Sequence, residues 1–145
     1  MEKIVFLDRD GTINEEVNYL HRTEDLKFLP GVPEALRLLK EAGFKLVVVT
    51  NQAGVARGYY TCADVEHLHA YMNEELKKYG AEIDAFYYCP HHPVHGIGIY
   101  KKVCQCRKPG TGMFLQAEER FRIDKAHSYM IGDKLLDVEA GVNYG

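Results

Sequence analysis

The sequence has no apolar run approaching the eighteen or so residues that cross a bilayer, no excess of basic charge and few cysteines. Each shortage excludes something. Without a spanning run no membrane partner is expected, and the opening MEKIVFLDRDG enters a strand-like run instead of a signal peptide, which points to a cytoplasmic protein. A net charge of -3 gives no electrostatic reason to expect DNA, RNA or an anionic surface as partner. Four cysteines are too few to staple a chain of 145 residues, and in a reducing compartment they read as thiols or metal ligands. There is no internal repeat, low-complexity tract or interdomain linker. What remains, 46% hydrophobic and 27% charged, is an ordinary globular composition, and residues 1–145 are expected to form one domain.

Short β-rich runs alternate with longer helical patterns, which predicts an α/β fold with a mostly parallel sheet and helices on both faces. The runs are KIVFL (Lys3 to Leu7), KLVVVT (Lys45 to Thr50), AFYYC (Ala85 to Cys89) and HSYMIG (His127 to Gly132). Helices are predicted from Pro33 to Ala42, stopped by Gly43, and after a capping box of Thr61 and Asp64, with Val65, Leu68, Met72, Leu76 and Tyr79 recurring at three or four. Two more are expected, over about Thr111 to Phe121 and from Leu135 through Ala140. A further strand is expected after the last of these, where the sequence stops at AGVNYG.

FLDRDGT puts Asp8 directly after a strand and Asp10 two residues on, at the carboxyl end of the sheet where α/β proteins bind ligands. A period of two turns both acids the same way and Arg9 elsewhere. A lone D-x-D-G can be a turn cap. Three other features join it: Thr50 ends the second strand, Lys108 lies in the loop before a helix, and Asp133 and Asp137 follow the fourth strand. Carboxylate oxygens suit Mg²⁺, while a hydroxyl and an ammonium suit a phosphoryl group. Phosphoryl transfer asks mainly for positioning and charge neutralisation, and this set supplies both.

A second constellation lies at residues 89–108. Cys89 and His91 are spaced C-x-H, and Cys104 and Cys106 C-x-C, two close pairs that make a Cys₃His tetrahedral Zn²⁺ site. Four protein ligands leave no open position, so such a zinc is structural. His92 or His95 could replace His91; the C-x-H spacing, which a strand end presents on one face, favours His91. Free thiols on a mobile loop are the alternative. His92, His95, His21, His67, His69 and His127 read as surface or partner-contacting residues, and Cys62 as a helix-start thiol.

In their order along the chain, D-x-D-G-T, the strand-end Thr50, Lys108 and G-D-x-x-x-D resemble the four motifs of the haloacid dehalogenase (HAD) phosphatase superfamily. That resemblance implies a Rossmannoid three-layer αβα sandwich. It implies Asp8 as a nucleophile forming an aspartyl-phosphate and Asp10 as the acid and base. Thr50 and Lys108 would hold phosphoryl oxygens, and Asp8, the Asp10 carbonyl and Asp133 would bind catalytic Mg²⁺. Asp137 would support Lys108 or the metal, and Lys134 would be a substrate contact or a solvated lysine. The stretches between Thr12 and Pro30 and between Asn51 and Ile83 are too short for a large inserted cap, so the site is expected to be open.

Within the superfamily, VTNQAGVARGYYT, YYCPHHP and CQCRKPGTGM look like the D-glycero-D-manno-heptose 1,7-bisphosphate 7-phosphatase family, with histidinol-phosphate phosphatases next. VHGIGIY is a departure that touches loop geometry only. The likeness implies a small-molecule sugar bisphosphate substrate, and a monomer is the expectation for a small domain without a cap. It implies contacts from Glu16, Val17, Asn18 and Tyr19, from Asn51, Gln52 and Ala53, and from Arg107, which would grip a second phosphate. A zinc-stabilised binding module without activity, or phosphoryl transfer to an organic acceptor, would be the other classes of reading.

Overall fold

Alternation within the first two strands decides the layers. In the computed structural model, which describes residues 1–145, β1 (Ile4–Leu7), β2 (Lys45–Asn51), β3 (Ala85–Cys89) and β4 (Tyr129–Ile131) form one parallel sheet in the order β3-β2-β1-β4. Val5, Leu7, Leu46 and Val48 face one way and pack on Leu36 of α1 (Val32–Glu41) and on Met72 and Leu76 of α2 (Cys62–Lys77). Ile4, Phe6, Val47 and Val49 face the other way, against Met113, Phe114 and Ala117 of α3 (Gly112–Glu118) and Ala140 of α4 (Leu135–Tyr144). Both faces of β1 and β2 are therefore buried, which is why these strands read as unbroken apolar runs. Each such side chain taken from water contributes about 1.5–3 kcal/mol. The result is a three-layer αβα Rossmannoid fold.

The strand order locates the site before any side chain is considered. The chain winds outward from β1 through β2 to β3, then returns to lay β4 on the other side of β1. The order reverses between β1 and β4, and the crevice outside the carboxyl ends at such a point is where open α/β sheets bind ligands. Asp8 follows β1 and Asp133 follows β4, so both stand at that crevice.

Local signals account for most boundaries. Thr61 and Asp64 form the expected reciprocal cap, with Asp64 N–H donating to Thr61 Oγ1 at 3.1 Å and Thr61 N–H to the Asp64 carboxylate at 2.9 Å. Two elements are shorter than predicted by more than one residue. β4 starts at Tyr129 because Lys125–His127 forms a 3₁₀ turn, and α3 ends at Glu118, although Phe121 beyond it is still buried. Tyr79 lies past the end of α2 and is exposed. Between Thr12 and Pro30 the only regular element is the 3₁₀ turn Thr23–Asp25, and α2 alone occupies the stretch between β2 and β3, so no cap covers the sheet edge. No helix is long and apolar enough to cross a membrane.

Candidate active site

Three charged side chains meet where β1 and β2 end. Lys108 Nζ donates to Asp8 Oδ1 at 2.9 Å, to the Val49 carbonyl at 2.9 Å and to Asp137 Oδ1 at 2.5 Å, which uses all three of its protons. Lys108, Asp8 and Asp137 are all buried. A buried ammonium between two carboxylates is a satisfied arrangement only while both partners stay, because removing one leaves an uncompensated charge. Burial pushes the Asp8 carboxyl above its ordinary range, against the opposing pull of Lys108. Asp137 also accepts the Lys134 backbone N–H at 3.2 Å, capping α4 while it holds Lys108.

Asp133 is exposed, and its carboxylate passes over Gly11. A Cβ at Gly11 would lie 2.2 Å from Asp133 Oδ2, and Gly11 also adopts φ +82°, so both space and backbone require glycine here. The carboxylates of Asp8, Asp133 and Asp137 lie within 4.8 Å of one another. Their hard oxygens fit Mg²⁺. With Asp137 committed to Lys108 and the α4 cap, Asp8 and Asp133 are the side chains left to face a cation.

Asp10 is not in that cluster. Its carboxylate turns to Arg9, which donates from Nε to Oδ1 at 3.0 Å and from Nη2 to Oδ2 at 3.1 Å. Asn14 adds a bond to Oδ1 at 3.0 Å and Gln52 a longer one to Oδ2 at 3.3 Å. Burial alone would raise the Asp10 carboxyl, but the Arg9 guanidinium and these bonds outweigh it and hold it below the usual range. The expectation that Arg9 points away from the acids is thus corrected: it is fully buried and folds back on its neighbour. Gln52 continues the network, donating to Thr50 Oγ1 at 2.9 Å and accepting from Tyr60 at 2.6 Å. Burial raises the Tyr60 phenol to about 12.

One cleft of about 280 Å³ is lined by Asp8, Asp10, Thr50 and Lys108 together with Glu16, Val17, Asn18, Tyr19, Asn51, Gln52, Ala53, Arg107 and Lys134. Every residue expected to touch substrate therefore opens on the same space. Tyr60 and Leu136 line it too, and no motif marks them. Lys134 reaches Glu16 at 3.5 Å across the mouth, and the Asn51 amide clamps the Lys108 backbone, accepting its N–H at 2.9 Å. Tyr19 adopts φ 57°, costly for a residue with a Cβ, and stacks edge-on against Tyr59.

Cys89, His91, Cys104 and Cys106 come together beside the cleft, their ligand atoms within 4.8 Å of one another. Cys104 Sγ lies 3.4 Å from Cys89 and 3.3 Å from Cys106, and His91 Nδ1 is 3.7 Å from Cys89 and 3.3 Å from Cys106. Ligands about 2.3 Å from a tetrahedral zinc stand about 3.7 Å apart, so the set fits a structural Zn²⁺. The Cys89–Cys106 edge is tighter, at 2.7 Å. The Cys106 thiol is pulled down to about 5 by its bond with Cys89, whose own thiol is pushed up. His92 is not among the ligands: its Nδ1 accepts the N–H groups of Val94 and His95, closing a turn.

His69 departs from the surface role expected of it. It is 4% exposed, stacked on Phe86 at 4.5 Å, with Nε2 3.2 Å from Arg9 Nη1. Its position carried the signal, since 69 falls on the same α2 face as Val65, Leu68, Met72 and Leu76. His21 is also half-buried, stacked on Tyr60.

Residues 3–136 match the polynucleotide kinase 3 phosphatase family. The D-glycero-beta-D-manno-heptose-1,7-bisphosphate 7-phosphatase of Escherichia coli O6:H1 is 50% identical over 136 residues, 94% of this chain and 72% of that protein. The enzyme of the same name from Haemophilus ducreyi is 48% identical over 145 residues, covering 99% and 79%. Among solved structures, D,D-heptose 1,7-bisphosphate phosphatase from B. bronchiseptica, complexed with magnesium and phosphate, superposes with a TM-score of 0.85 at 34% identity, covering 99% of this chain and 76% of that one. A HAD-like phosphatase from Mesorhizobium loti gives 0.90 at 35% identity, covering 97% and 67%. Strand-end acids, buried lysine and Cys/His cluster thus sit on a chain that belongs to the polynucleotide kinase 3 phosphatase family and to the HAD-type phosphatases that carry the heptose-bisphosphate name.

Proposed function

We propose that the protein removes the 7-phosphate of D-glycero-D-manno-heptose 1,7-bisphosphate, a step in heptose nucleotide biosynthesis, as a Mg²⁺-dependent cytosolic monomer. The observation that carries the reading is the Asp8–Lys108 pair, braced from behind by Asp137, opening with Arg107 on one small cleft. Asp8 attacks phosphorus; the bond from phosphorus to the sugar oxygen breaks, and the leaving oxygen takes a proton from Asp10, which must take that proton up with the substrate because the pull of Arg9 keeps its carboxyl ionised beforehand. Asp10 then accepts a proton from water as that water attacks, and the phosphorus–Asp8 bond breaks to release inorganic phosphate. Thr50 holds one phosphoryl oxygen, and Lys108 holds another by exchanging its bond to Asp8 for one to the phosphoryl group as Asp8 attacks. Mg²⁺, held by Asp8, Asp133 and the Asp10 carbonyl, would supply charge neutralisation at the transferring group.

Arg107 sits next to Cys106, so a zinc that fixes the loop also fixes a guanidinium suited to the second phosphate. The names of the relatives support the sugar bisphosphate, and the net charge of -3 speaks against a polynucleotide in spite of the family's name. Phosphate release is to be measured with Mg²⁺ on heptose 1,7-bisphosphate, histidinol phosphate and a 3′-phosphorylated oligonucleotide. Turnover is expected to be fastest on the heptose; faster turnover of either of the others would overturn the assignment.

A further inference from the structure

Arg9 carries a buried positive charge that the reaction scheme leaves without a task. Arginine has donors only. Its Nε and Nη2 grip Asp10, Nη2 is also shared by the Leu20 carbonyl and Gln52 Oε1, both at 3.2 Å, and Nη1 faces His69 Nε2 at 3.2 Å. Since Arg9 must donate, His69 Nε2 must accept, which makes His69 a neutral imidazole protonated on Nδ1. Burial, followed by the Arg9 charge, lowers the His69 pKa to about 3 and keeps it neutral. Stacking on Phe86 and the edge of Tyr88 fixes its ring. The chain of contacts runs from the body of α2, through His69 and Arg9, to a carboxylate whose side chain is still 23% open to the cleft.

We propose that His69 and Arg9 are positioning residues for the proton-transferring carboxylate: His69 aims the Arg9 guanidinium, and the guanidinium's two-point grip aims Asp10 at the leaving oxygen. A carboxylate held at one point can swing, whereas a planar fork on both oxygens fixes its plane as well as its place. The inference rests on Asp10 as acid and base in the proposed function. It adds a device outside the motifs, on a helix that contributes nothing else to the cleft.

The test compares His69→Phe, which keeps the stacking but removes the acceptor, with His69→Gln, whose amide oxygen can replace it. Each is assayed on heptose 1,7-bisphosphate and on p-nitrophenyl phosphate, whose phenolate leaves without a proton. His69→Phe is expected to lower kcat/KM on the sugar about tenfold, a partial loss of general acid catalysis, and less than about threefold on the aryl ester, with His69→Gln recovering most of the loss. Equal losses on both substrates, or none on the sugar, would overturn the relay and make His69 packing only. Should His69→Phe not fold, Arg9→Lys, which replaces the fork with one ammonium, must show the same split between substrates. Asp10→Asn separates the two ideas: full activity in that variant defeats the reading of Asp10, whereas an inactive Asp10→Asn beside an unimpaired His69→Phe defeats the relay alone.

Discussion

Asp8 and Lys108 meet at 2.9 Å at the edge of the sheet, both buried, while Cys89, His91, Cys104 and Cys106 gather at the base of a loop whose Val94, Ile97, Ile99 and Val103 are exposed. The first group is held by the core. Backbone from β1, β2 and α4 fixes each member, and the charges compensate one another, so the arrangement exists before any ligand arrives. The second has little apolar packing of its own in the loop above it, and a metal is the interaction that can repay the entropy of ordering about twenty residues. On the proposed reading, the chemistry lies where geometry comes free with the fold, and the contact to the second phosphate lies on the loop.

Three changes would break or sharpen that contrast. The largest effect is expected at the sheet edge: Asp8→Asn should lower phosphate release by at least about a thousandfold, as loss of a nucleophile does, while bound zinc stays unchanged by elemental analysis. Residual activity near wild type would remove the proposed nucleophile. At the loop the signs reverse. Cys106→Ser, or zinc stripped by a chelator, should loosen residues 89–108, seen as faster hydrogen exchange, and weaken bisphosphate binding about ten- to a hundredfold through Arg107, worth about 1.5–3 kcal/mol for one charged hydrogen bond. A mono-ester without a second phosphate should be much less affected; equal losses on both would show that the loop supports the whole site.

The smallest effect concerns stability and pH. His69 is neutral when folded, with its pKa lowered to about 3 by burial and the Arg9 charge, and takes a proton near 6.5 when unfolded. The unfolded chain thus binds one more proton at this position between those values. That stability is present above about pH 6.5 and is lost as pH falls toward 3. Denaturant unfolding of wild type against His69→Phe should show an extra loss in wild type of about 1.4 kcal/mol per pH unit below 6.5. Parallel curves for the two proteins would mean that His69 is not held neutral.

The legible parts of this molecule are those that local chemistry dictates. The apolar strand runs, the Thr61–Asp64 cap and the D-x-D-G and C-x-C spacings stand in the sequence because each acts over a few residues. The strand-end acids and the Cys89, His91, Cys104 and Cys106 pairs stand out for the same reason. Arg9 was harder to read, since nothing in FLDRDGT says that the middle side chain folds back onto its neighbour. Its acceptors come from Leu20, Gln52 and His69, as far as 60 residues away, and a buried guanidinium goes where enough acceptors converge. Tyr60 is equally hard to read from the sequence, because its partner Gln52 lies across a turn that only the folded chain closes.

By itself the sequence determined the fold class, the strand-end placement of the acids and the two close pairs of sulfur and imidazole groups, because periodicity and spacing are local. Tertiary structure alone decided that His92 closes a turn, that Asp137 also caps α4 while it holds Lys108, and that the two acids of one motif face different partners. Those outcomes depend on which donors and acceptors the β3-β2-β1-β4 order brings within about 3 Å of each other, a distance that spacing along the chain does not encode.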